Sequence, residues 1–172
     1  PQDAEGMFDL LTYEKGASVV RMLEQYLGAE VFRDGVRQYL DTHSYANTET
    51  TDLWASLETV SGQPVQSLMH DWIYHGGHPI ITATATPHGL RVEQRAFTLD
   101  PNVADDRTWS VPLVIRHNGE ITSALLTEGS MLLTGITGTP TTVNAGAAGF
   151  FRTAIDEAIL ADLEASGPGD RT

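Results

Sequence analysis

Trp72-Ile73-Tyr74-His75-Gly76-Gly77-His78-Pro79-Ile80-Ile81-Thr82-Ala83-Thr84-Ala85-Thr86 changes its period in the middle. Before Gly76 the apolar residues continue a helical series, Val65, Leu68, Met69, Trp72 and Ile73; after Pro79 the chain alternates with the period of a strand. Two glycines and a proline between the two patterns stop a helix. Composition shifts at the same place. Residues 1–80 carry 12 acidic and 4 basic side chains with six threonines, whereas residues 81–155 carry 6 and 5 with thirteen threonines. The expected fold class is α+β: an antiparallel helical cluster over 1–79, then a small all-β sandwich of about seven strands over 80–153. Residues 154–172 read as the start of a further helical domain and a loose tail.

Working back from the break, Pro64 falls in the first turn of the helix that ends there, a position that suits proline. An earlier helix follows Thr51 as N-cap and carries Leu53, Trp54, Leu57 and Val60 up to Gly62. Before it, residues 29–40 place Val31, Phe32, Val36, Tyr39 and Leu40 on one side. The first helix carries Phe8, Leu11, Val19, Val20, Leu23 and Leu27 and stops at Gly28. Short connections between four amphipathic helices imply antiparallel neighbours. Working forward, strands are expected at 80–86, 90–97, 109–117, 120–127, 131–136, 141–144 and 150–153, a spacing that suits a sandwich. Asn118-Gly119 is the two-residue hairpin signal. The glycine pairs Gly135/Gly138 and Gly146/Gly149 read as turns, and a last helix is expected over 154–164.

With 172 residues the chain can bury a core without a disulfide or metal staple, and it has no cysteine to make one. A net charge of −13 argues against nucleic acid and anionic membrane surfaces as partners. No apolar run approaches a membrane span and no signal peptide opens the chain, so the expectation is a soluble, cytoplasmic protein. The chain begins at Pro1, which suggests a piece of something longer.

Taken alone, the residues show little chemistry. HExxH, GxSxG, GxxxxGK[ST] and GxGxxG are all absent. His70, His75 and His78 cluster around the break, but helical spacing points His70 and His75 to different faces, so ordinary surface or helix-end histidines are expected, with an adventitious metal site as the alternative. The acidic neighbours Asp105/Asp106 and Asp156/Glu157 read as solvated rather than as an acid/base couple.

Longer motifs say more. Thr12-Tyr13-Glu14-Lys15-Gly16-Ala17-Ser18-Val19-Val20-Arg21-Met22-Leu23 closely resembles the TYEKG stretch of the zinc aminopeptidases related to puromycin-sensitive aminopeptidase and aminopeptidase N. Further matches follow in family order. These are Val31-Phe32-Arg33 with Gly35, Tyr39 and Leu40; His43-Ser44-Tyr45-Ala46-Asn47 before Asp52-Leu53-Trp54; and Trp72 through Pro79. Trp109-Ser110-Val111-Pro112-Leu113 and Asn144 through Arg152 are similar to strands of the family's β-sandwich. The resemblance covers residues 8–155.

That resemblance implies an enzyme that removes N-terminal residues from peptides by metal-assisted hydrolysis, with Zn2+ as cofactor. It gives Tyr13 the role of stabilising the tetrahedral oxyanion. A phenol is protonated at neutral pH and can donate to developing negative charge, a contribution of about 3–4 kcal/mol if the oxyanion-hole precedent transfers. Glu14 and Lys15 flank Tyr13 and read mainly as an exposed helical pair, the alternative being that one of them helps orient the site; Gly16 reads as a point of close helix approach, and Trp54, Trp72 and Trp109 as packing. The family's zinc ligands, its glutamate base and its GxMEN-type strand are absent from this sequence. The chain by itself is therefore expected to bind no zinc in the family manner and to be inert. A missing catalytic half would leave apolar helix surface exposed, favouring self-association. The alternatives are a non-catalytic scaffold of the same family and an unrelated binding module.

Overall fold

The computed structural model describes residues 10–100, 102, 105–137 and 141–165, with the backbone alone at 10–12 and 162. Phe8, Gly138, the Leu11 side chain and the tail at 166–172 lie outside the described residues. Four helices come first: α1 (Leu10–Leu27), α2 (Ala29–Thr42), α3 (Thr50–Ser61) and α4 (Val65–Tyr74). Seven strands follow among the described residues: β1 (Pro79–Thr86), β2 (Gly89–Ala96), β3 (Val111–His117), β4 (Glu120–Leu126), β5 (Ser130–Thr134), β6 (Thr141–Thr142) and β7 (Arg152–Ile155). Helix α5 (Glu157–Ala165) ends the described chain. The expected α+β architecture is the one observed.

Sequence spacing accounts for most of the helical half. Val19, Met22 and Leu23 are buried at helical intervals on α1, as are Val65, Leu68, Met69 and Trp72 on α4. Gly28 closes α1 and opens α2: its N–H bonds the Glu24 carbonyl, and its own carbonyl accepts from Phe32. Its φ of +85° is a conformation that suits glycine. The cap of α3 is not Thr51 but Glu49, whose backbone N–H donates to the Asp52 carboxylate at 2.8 Å. A carboxylate three residues into the helix satisfies the entry more directly than a hydroxyl already inside it. Pro64 stands just before the first turn of α4, its carbonyl accepting from Leu68.

The strands form two sheets, ordered β5-β2-β1-β7 and β4-β3-β6. Ile81, Ala83, Leu90 and Val92 of the first sheet join Val111, Leu113, Ile115 and Leu126 of the second in the buried core. The Asn118-Gly119 turn joins β3 to β4 with φ of +51° and +80°, the two positive angles of a type I′ hairpin.

Two expected elements are corrected. The expected strand over 109–117 begins at Val111, because Trp109 and Ser110 bond side chains instead of a neighbouring strand. Trp109 donates its N–H to Gln94 Oε1 at 2.9 Å and accepts from Gln94 Nε2 at 2.8 Å. Ser110 N donates to Asp71 Oδ2 at 2.8 Å, and its carbonyl accepts from Trp72 Nε1 at 2.9 Å. The expected helix over 154–164 begins at Glu157, and Ala154 and Ile155 belong to β7. There they pair in parallel with Thr82 and Ala83 of β1. Asp156 then caps α5, accepting from Ile159 N at 2.8 Å and Ala85 N at 2.9 Å. It is a structural tie rather than a solvated acid.

These bonds put the helical cluster directly against the sandwich. Trp72 packs on Trp109, with ring centres 6.2 Å apart, and edge-on to Phe150 at 6.1 Å. Trp72 and Trp109 are both fully buried, and Trp54 nearly so. One apolar core runs from α1 through α4 into both sheets.

Candidate active site

Helix α1 sends Tyr13 and Lys15 to opposite sides. A helix turns about 100° per residue, so side chains two positions apart diverge by about 200°. Lys15 lies about 40° from Val19, on the buried side of α1. Tyr13 faces the other way and is 61% exposed.

The expected exposed pair holds for Glu14 but not for Lys15. Lys15 is half-buried, and its Nζ donates to the carbonyl oxygen of His75 at 3.2 Å. His75 is the C-cap of α4, so the ammonium meets the negative end of that helix. Burial pushes Lys15 below the ordinary lysine pKa. The next carbonyl, that of Gly76, accepts from Arg107 Nη1 at 3.0 Å. Two cations from different elements therefore hold the end of α4.

Beside Lys15 a groove of about 370 Å³ opens between α1, α3 and α4, with Val20, Trp54, Met69 and Ile73 among its walls. Gly16 also borders it, but no described atom lies within 4 Å of where its Cβ would be. Close helix approach occurs instead at Gly35, where a Cβ would stand 2.6 Å from Leu57 Cδ2 and 3.1 Å from Leu57 Cα.

The three histidines near the break do not converge. His70 and His75 are nearer than helical rotation predicts, their rings edge-on at 6.3 Å. Helix α4 ends at Tyr74, and His75 is extended at φ −93° and ψ 127°, so the rotation does not carry through to it. His78 turns to the sandwich and stacks on Phe97 at 4.9 Å. Burial, and secondarily the charge of Arg152, push His78 below the ordinary histidine pKa. Among the described residues no group of three or more histidine, aspartate or glutamate side chains could hold a metal ion. The side chains described here do not fit a zinc centre of their own. None of the helices described is long and apolar enough to cross a membrane.

Asp71 and Gln94, which fix the junction behind the site, were not singled out from sequence. Each had a signal. Asp71 is three residues from buried Leu68 on α4, and Gln94 alternates with Val92 and Ala96 on the buried face of β2. A polar residue on an apolar face needs partners.

The helical cluster that carries the TYEKG stretch and the β-sandwich joined to it have the order that the resemblance implied, and comparison with known proteins gives the family. Residues 1–72 match the Peptidase family M1 domain. The chain is 36% identical over 157 residues to Tricorn protease-interacting factor F2 of Thermoplasma volcanium, covering 91% of this chain and 19% of that protein. It is 42% identical over 116 residues to Aminopeptidase M1-D of Oryza sativa subsp. japonica, covering 67% of this chain and 13% of that protein. Against Leucyl aminopeptidase of Saccharolobus solfataricus it is 39% identical over 126 residues, covering 73% and 16%. The chain belongs to peptidase family M1, and it spans at most about a fifth (19%) of the length of these relatives.

Proposed function

We propose that this chain is part of an aminopeptidase, within which Tyr13 donates its phenolic hydrogen to the oxyanion that develops as the N-terminal peptide bond of a substrate is attacked. One observation carries the reading. Tyr13 lies inside the matched M1 region and stands open on the outer side of α1. An aromatic placed for packing would be buried like Trp54 and Trp72. A phenol that remains accessible can reach a bound peptide.

The donor acts on charge that exists only in the transition state, so it lowers the barrier without tightening ground-state binding. The zinc that the family resemblance implies would be held by residues other than those described here. On this reading the chain alone does not hydrolyse aminoacyl substrates.

In the full-length enzyme, Tyr13→Phe is expected to reduce kcat about 10²–10³-fold while KM changes little. Steady-state kinetics on a chromogenic aminoacyl anilide measures both. An unchanged kcat would remove Tyr13 from the mechanism.

A further inference from the structure

We infer that Lys15 is a positioning residue for Tyr13: by bonding the C-cap carbonyl of α4, it locks the turn of α1 that carries Tyr13 in the orientation that presents the phenol. This rests on the role proposed for Tyr13 above. Tyr13 is carried on the outer side of α1, 61% exposed, so where its phenol points follows from how that helix is seated on the rest of the cluster. A donor to an oxyanion must be held to within roughly 0.5 Å of its productive position. A contact that fixes α1 against another element therefore bears on the phenol.

Lys15 provides one. It is two residues from Tyr13, and its Nζ lies 3.2 Å from the carbonyl oxygen of His75, sixty positions along the chain. The receiving end is itself tied to the sandwich and to the loop before it. Trp72 Nε1 donates to the Ser110 carbonyl at 2.9 Å, Asp71 Oδ2 accepts from Ser110 Oγ at 2.7 Å, and Arg107 Nη1 donates to the Gly76 carbonyl at 3.0 Å. Lys15 thus connects the turn that carries Tyr13 to a helix end fixed to the sandwich. Pointing about 200° away from the phenol, it shares none of the space a substrate would occupy beside Tyr13. Its effect on the reaction must pass through the orientation of α1.

The test is a double-mutant cycle in the full-length enzyme with Lys15→Met, Tyr13→Phe and the pair, read as kcat and KM on an aminoacyl anilide. Methionine keeps most of the apolar stem in the groove and removes the donor. K15M is expected to lower kcat about tenfold, within the ~10²-fold that a 1 Å misplacement can cost, with KM within about twofold. In the Y13F background K15M is expected to cost nothing further, because the group it orients is gone. An unchanged kcat in K15M, a change in KM alone, or losses that multiply in the double variant would each overturn the inference. If K15M is not recovered folded, Lys15→Gln goes through the same cycle. The two readings fail separately. A silent Y13F defeats the role of the tyrosine, and with it this inference; a strong Y13F beside a silent K15M defeats only the anchor.

Discussion

Gly35 occupies the interior of α2, where glycine costs roughly 0.5–1 kcal/mol relative to alanine. It is accommodated because α3 lies against it. The methyl of an alanine would meet both the side chain and the Cα of Leu57, and only the side chain can move aside. Overpacking of this kind costs about 1–3 kcal/mol, more than the helix propensity returned. Gly35→Ala is therefore expected to lower stability by about 1–2 kcal/mol after that return. Gly16→Ala, with no described atom within 4 Å, should raise it by up to ~1 kcal/mol. Urea midpoints of the two variants read the contrast directly; a neutral Gly35→Ala would mean that α2 and α3 can part without loss. Spacing alone cannot separate these glycines, since both sit inside helical patterns and differ only in what faces them.

Among the elements, β7 and α5 show a boundary decided by pairing rather than propensity. Ala154 and Ile155 suit a helix as well as a strand, and their spacing with Ala158 and Ile159 fits the helical period. They go to the strand because β1 offers an open edge, on which Ile80 through Ala83 pair with Arg152 through Ile155. Asp156 makes the switch abrupt, receiving one N–H from α5 and one from β1. Asp156→Ala removes an N-cap and leaves the Ala85 N–H without this acceptor, a loss of about 2 kcal/mol expected in chemical denaturation. A loss below a few tenths would show that water replaces both bonds. The Asn118-Gly119 hairpin is the opposite case, since positive φ at both positions is a local property that the dipeptide itself favours.

At the scale of the whole molecule, acid should act at the junction between helices and sandwich. His78 follows the Gly76-Gly77 break, stacks on Phe97 and stands near Phe150 and Arg152. Its folded pKa is depressed, first by burial and then by the arginine charge. As pH falls below the unfolded value of ~6.5, the unfolded chain takes up a proton that the folded chain resists. The contribution of His78 is thus fully present above that value and is lost as pH falls toward the folded one. Urea midpoints should drop between pH 7 and pH 5, and His78→Phe, which keeps an aromatic on Phe97, should flatten the slope. An equal slope in the variant would assign the acid sensitivity elsewhere. Asp105 acts only in stronger acid: its hydrogen bonds to Arg107 lower its pKa to about 2, so its contribution is present above the ordinary ~4 and lost below that.

The order of helices and strands, the break at Gly76 and Gly77, the type I′ turn and the burial of Trp72 and Trp109 were all legible in the amino acids. Each depends on periodicity or on the backbone preferences of a few neighbouring residues. The family was legible too, through the motif around Tyr13. Folding in three dimensions decided what local pattern does not encode: that Lys15 reaches His75, that Gln94 and Asp71 take backbone groups a strand would have used, and that His75 leaves the helical rotation. Those contacts join residues far apart in sequence, and their geometry exists only once both partners are held by the packed core.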